Sequence, residues 1–185
     1  MLMRNRAEIA LPGALIGVVA GAMAGGLTLF AGQSVSWAVV SSLALALPLG
    51  LLGAGYGMLL GQRLFRPGVF APAGLYWLVG FPLSRLLQET ITGLAIFGQI
   101  TLPGGVLGFL AYQAMVSLGF AIGFIWVHER LMPHWLMRLR ERNPQARELF
   151  AVYVEHAEAM WTAKERRRAQ TRAQRTQTRA QRGAR

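Results

Sequence analysis

Residues 11–30 read LPGALIGVVAGAMAGGLTLF, a run of 20 residues without one charged side chain. As a helix, such a run covers about 30 Å, the thickness of a bilayer's hydrocarbon core. Within it, Gly13, Gly17, Gly21 and Gly25 recur at four-residue steps. On a helix that spacing makes one flat stripe with no side chains. A second backbone can approach such a stripe closely, which is how helices in lipid gain dispersion contacts. Arg4 and Arg6 precede the run, as the start of a cleaved leader would require. Its length, and three more apolar runs behind it, instead predict a retained first membrane helix.

Outward from this stretch, the sequence predicts four membrane spans at about residues 9–30, 35–61, 70–97 and 104–127. Each reaches the ~20 residues needed to cross, and none alternates with period two, so helix is the spanning form. The second run repeats the glycine spacing with Gly53, Gly57 and Gly61. The fold class expected is an all-α integral membrane protein: a four-helix transmembrane bundle with a cytoplasmic amphipathic helix and a basic tail. The chain is 54% hydrophobic, and most of its charges follow His128. That excludes a soluble domain with a polar surface over the first two thirds.

The loops set the orientation. Arg4 and Arg6 lie before the first run and Arg63 and Arg66 between the second and third, whereas residues 31–34 and 98–103 carry no charge. Arginine bias of this kind places residues 1–8 and the chain after residue 127 in the cytoplasm. The location expected is a bacterial inner membrane, crossed several times, with both termini inside.

The third run breaks the pattern. GFPLSRLLQETITGL, residues 80–94, holds Pro82, Arg85, Gln88 and Glu89 amid apolar sequence. A lone charge at bilayer depth costs about 2.5–3.5 kcal/mol on insertion scales. Arg85 and Glu89, four residues apart, share a helix face and can offset each other. Gln88 adds donors and an acceptor beside them. Two uses fit: a structural lock onto the bundle or a partner's helix, or an ion or proton site at Glu89 tuned by Arg85. A competing geometry makes residues 70–83 a half helix and residues 91–98 a re-entrant piece.

After residue 127 the chemistry changes. Residues 128–142 mix Leu131, Trp135 and Leu139 with Arg138, Arg140 and Arg142, which suits a helix lying on the membrane surface. Asn143-Pro144 reads as a helix start, with Asn as the cap and Pro at the first position. The amphipathic helix that follows is expected to end near Arg168. Beyond it, residues 169–185 repeat TRAQR, and Arg168, Arg172, Arg175, Arg179 and Arg182 fall at helical steps of three and four. That stripe repels itself, which predicts disorder until a polyanion neutralises it. Candidate polyanions are anionic lipid, RNA (including ribosomal RNA), DNA and an acidic protein. No aromatic residue follows Trp161, so any nucleic-acid binding would run through the backbone phosphates and weaken with salt.

No catalytic residue, metal site or cofactor is expected. The chain has no cysteine and no aspartate, which excludes an iron–sulfur cluster, a cysteine zinc site and an aspartyl intramembrane protease. No GxxxxGK loop occurs, and His128, His134 and His156 are read as surface residues of the tail, without ligand spacing. The function expected is a non-enzymatic scaffold or accessory subunit. Its glycine stripes would pack against other membrane subunits or copies of itself, and its tail would bind an acidic surface. The alternatives are a small transporter or channel using Arg85 and Glu89, and a membrane tether for nucleic acid or a ribosome.

Overall fold

The computed structural model describes the backbone of residues 2–183 and the side chains of residues 3–172 and 174. The described residues are helical, with no strand. In chain order the helices are α1 (Leu2–Phe30), α2 (Val35–Gly61), α3 (Phe70–Thr92), α4 (Gly105–Leu139) and α5 (Pro144–Gly183). A π-helical turn, Gly93–Phe97, continues α3. Of these, α1, α2 and α4 are long and apolar enough to cross a membrane. The third helix is not among them, because Pro82, Ser84, Arg85, Gln88 and Glu89 dilute its apolar content.

α1 and α2 form a hairpin whose two glycine stripes face each other. A methyl group added at Gly13 would land on the carbonyl oxygen of Gly53, and one at Gly17 on the carbonyl of Leu49. One at Gly21 would strike the Ala46 backbone; at Gly25 it would lie 2.6 Å from Ser42 Cβ, and at Gly57 2.9 Å from Ala10 Cα. Gly61 is looser, in ordinary contact with Ile9 at 3.4 Å. Backbones this close gain dispersion contacts along the whole hairpin. The stripes of α1 and α2 are thus filled by one another. In α4, by contrast, Gly108, Gly119 and Gly123 have nothing within 4 Å of an added Cβ.

α3 and α4 close the bundle on an aromatic core. Trp77, fully buried, packs on Phe124 with ring centroids 4.5 Å apart and on Phe120 at 4.8 Å. Tyr56 of α2 meets Phe124 edge-on at 5.2 Å. Tyr76 donates to the Leu52 carbonyl at 2.7 Å, which ties α3 to α2. Edge-on and tilted ring pairs of this kind add about 0.5–1.5 kcal/mol each beyond burial.

The interior is polar in places and the exterior is oily. Val39, Leu43, Leu47 and Leu51 form a row at four-residue steps along α2, each 50–74% exposed. Ser41, Ser84, Gln88, Gln113, Ser117 and His128 are buried instead. A water-soluble bundle shows the reverse arrangement.

Two expectations are corrected at the helix ends. Residues 2–8 form the first turns of α1, packed against the chain around Asn143. Residues 128–139 are no separate surface helix, because α4 runs through them unbroken from Gly105, over about 52 Å. Its buried positions Phe124, His128, Met132, Leu136 and Leu139 keep one helical face inward, and that burial holds the helix on course past Pro133. α5, expected to stop near Arg168, continues to Gly183. Its composition explains this: alanine, glutamine and arginine are strong helix formers, and no Gly or Pro intervenes.

α4 and α5 turn back at the end of the bundle that carries the arginines. Asn143 caps α5 as its sequence predicts, its Oδ1 accepting from the Ala146 N–H at 3.1 Å. The same amide donates through Nδ2 to the Asn5 carbonyl at 3.0 Å and to Glu8 at 3.1 Å. Trp135 Nε1 donates to the Glu8 carbonyl at 2.7 Å, and Arg142 pairs with the Glu8 carboxylate at 3.6 Å. Around this knot Ile9, Met132, Leu136, Leu139, Ala146, Leu149 and Tyr153 form a second core. The first helix is thereby stapled to the last two.

Candidate functional site

Helical spacing on α3 collects the polar side chains of residues 84–92. Ser84, Gln88 and Thr92 fall on the inward line, and Arg85 and Glu89 lie beside it. Ser84 donates to the Gly80 carbonyl at 2.9 Å and so satisfies itself within the helix. Gln88, 3% exposed, is held by α2: its Nε2 donates to Ser41 Oγ at 2.6 Å and to the Ser41 carbonyl at 3.2 Å. Its Oε1 accepts from Arg85 Nη1. Arg85 Nη2 pairs with Glu89 Oε2 at 3.6 Å. The chain of contacts therefore runs Ser41–Gln88–Arg85–Glu89, from buried amide to half-exposed carboxylate.

The charged end of this chain lines a cavity of about 360 Å³. Thr28 of α1, Trp37 and Ser41 of α2, and Thr92, Gln99 and Thr101 also line it. Phe97, the last residue of the π turn, meets Trp37 edge-on at 5.0 Å. Gly98 then reverses the chain with φ 68°, a left-handed conformation that favours glycine. The reversal folds residues 98–101 back over the turn, so that a Cβ on Gly93 would lie 2.7 Å from the Gln99 carbonyl oxygen. Thr92 Oγ1 is buried and has no hydrogen-bond partner. This arrangement offers a cation, an anion and hydroxyl groups to a small polar solute or ion.

Arg85, Gln88 and Glu89, all singled out from the sequence, thus meet in one place. Ser41, Trp37, Phe97 and Gln99 were missed, since they come from other segments and only the fold brings them there. His128 was misread as a surface residue. It is fully buried, stacked on Phe124 with centroids 5.6 Å apart and edge-on to Tyr56 at 5.0 Å, and neither ring nitrogen has a partner. Its register was legible: it follows Phe124 by four residues on the buried line of α4. His134 donates to the Arg130 carbonyl through Nδ1 at 2.9 Å. Among the described residues no three His, Cys, Asp or Glu side chains converge in a way that could hold a metal.

The second candidate surface is α5. Its first turns are docked: Ala146, Leu149 and Tyr153 are buried, Tyr153 donates to Glu129 at 3.4 Å, and Arg63 pairs with Glu148 at 3.1 Å. Burial, with the nearby Glu129 carboxylate, pushes the Tyr153 phenol well up, so it stays a donor throughout the accessible pH range. From Ala157 on, every described side chain is exposed. The remaining helix projects about 40 Å, at 1.5 Å per residue. Arg168 and Arg172 lie on it, exposed; the side chains of Arg175, Arg179 and Arg182 lie outside the described residues. Comparison with protein-family models, with curated proteins and with solved structures gives no match.

Proposed function

We propose that the chain is a non-enzymatic membrane scaffold or accessory subunit. In this reading α1 to α4 all cross the bilayer, with α3 and its π turn as the third span and both termini in the cytoplasm. α5 is then a cytoplasmic arm. The observation that carries the proposal is that α5 is docked through His156 and from Ala157 on continues as a helix whose described side chains are all exposed. A long helix that buries none of its surface in its own chain is a surface for something else. Its arginines suit an acidic partner: anionic lipid first, at about 1 kcal/mol per arginine near the leaflet. Nucleic acid or a ribosome is the competing polyanion. The stripes of α1 and α2 hold the bundle together, so packing against other subunits or a second copy falls to the open glycine face of α4.

The test is binding of the full-length protein to anionic vesicles or to RNA, against a variant truncated after Ala157. The wild type is expected to engage an acidic surface, with affinity falling as salt rises, and the truncation to lose that engagement while remaining folded. Equal binding by both forms, or binding indifferent to salt, would contradict the arm's role.

A second reading is favoured by the cavity beside Arg85 and Glu89, which would make the protein a small transporter or channel. Intramembrane ionisable residues commonly mark ion or proton paths. Under this reading Glu89→Gln abolishes flux in proteoliposomes while the assembly state is unchanged. Absence of flux under ion and proton gradients with the wild type removes the reading.

A further inference from the structure

The α2–α3 loop and α5 enclose a second cavity, of about 570 Å³, at the arginine-bearing end. Its floor is apolar, built from Leu60, Phe65, Leu149 and Val152. Its rim carries opposite charges on different elements: Arg66 on the loop and Glu155 on α5. Neither side chain has a hydrogen bond or ion pair among the described residues. The other guanidinium there, Arg63, is already paired with Glu148 at 3.1 Å. His156 is fixed as a wall: its ring lies so close to Gly68 that a Cβ there would strike Nε2.

An unpaired cation and an unpaired anion above an apolar floor complement a head group that carries both charges. The cavity lies where α2 ends and α3 begins, which in the membrane reading is the boundary between hydrocarbon and water. We propose that it binds the head of a zwitterionic aminophospholipid. Arg66 holds the phosphodiester, Glu155 the primary ammonium, and the accessible apolar lining, Phe65, Val69 and Val152, receives the start of the acyl chains. A primary ammonium donates charge-assisted hydrogen bonds to a carboxylate; a trimethylated one cannot. A head with a phosphate and no cation would leave Glu155 unpaired beside a second negative charge. Lipid is favoured over a soluble phosphoethanolamine compound by the apolar floor, which a soluble head would leave wet.

The proposal rests on the chain being membrane-embedded, so flotation of the full-length protein with vesicles comes first. Retention of phosphatidylethanolamine, phosphatidylcholine and phosphatidylglycerol is then compared by native mass spectrometry from nanodiscs. Phosphatidylethanolamine is expected to be retained about tenfold better than the other two, the difference made by one charge-assisted contact. Glu155→Gln should bring ethanolamine and choline lipids to within about twofold, and Arg66→Ala should weaken both about tenfold. Both residues are exposed, so thermal melts of the two variants are expected to match the wild type. Equal retention of ethanolamine and choline lipids by the wild type, a preference for phosphatidylglycerol, or unaltered discrimination in Glu155→Gln overturns the site. Soluble glycerophosphoethanolamine that competes as well as the lipid overturns the lipid assignment. A protein that does not float overturns the membrane reading and this site with it, whereas one that floats without discriminating overturns the site alone.

Discussion

A side chain at Gly17 has no room, because the Leu49 carbonyl already occupies the place of its Cβ. Gly119 on α4 has open space beside it. The two positions therefore separate packing within the chain from packing between chains. Gly17→Leu is expected to push α1 off α2 and destabilise the folded chain by about 1–3 kcal/mol or more, the usual cost of overpacking. Gly119→Leu should leave the melt of the isolated chain unchanged. Thermal unfolding in mild detergent, followed by circular dichroism, checks both; equal melts for the two variants would contradict the hairpin packing. The glycine spacing in α1 and α2 was legible in the sequence as a close-packing signal. The partner was not, because a flat stripe looks the same whether it meets its own chain or another. The same limit applies to Gln88: its need for a polar neighbour was legible, but Ser41, 47 residues away, is supplied only by the fold.

At the scale of elements, short-range chemistry was read well and long-range continuity was not. Asn143-Pro144 announces a helix start, and α5 begins there with the Asn143 side chain on the Ala146 N–H. The end of α4 was misplaced because arginines and a proline after residue 127 resemble a boundary, while the burial of Met132 and Leu136 that overrides them is tertiary. Asn143 joins α5 to α1: it caps α5 and donates to both the Asn5 carbonyl and the Glu8 carboxylate. Asn143→Ala is expected to cost about 2–3 kcal/mol, from a lost cap and two lost hydrogen bonds to α1. It should also raise amide hydrogen exchange in the first turns of both α1 and α5. Faster exchange confined to α5 would show that Asn143 is only a cap and does not staple the first helix.

The whole molecule is a bundle with an oily exterior, a polar seam inside, and a helical arm at one end. Its apolar runs and charge-free loops were legible as separate facts. The sequence could not show that the seam opens into a cavity beside Arg85 and Glu89, since that needs the reversal at Gly98 and the meeting of Trp37 with Phe97. The central claim is that α1 to α4 each cross the membrane, with the arginine-bearing end inside. The chain has no cysteine, so single cysteines can be introduced without background. The deciding measurement is labelling of Met3→Cys, Gln33→Cys, Gln99→Cys and Gln170→Cys by an impermeant maleimide, in intact and in permeabilised cells. The account predicts that positions 33 and 99 label from outside, and that positions 3 and 170 label only after permeabilisation. Labelling of position 99 only from inside, or of 3 and 170 from opposite sides, would contradict it.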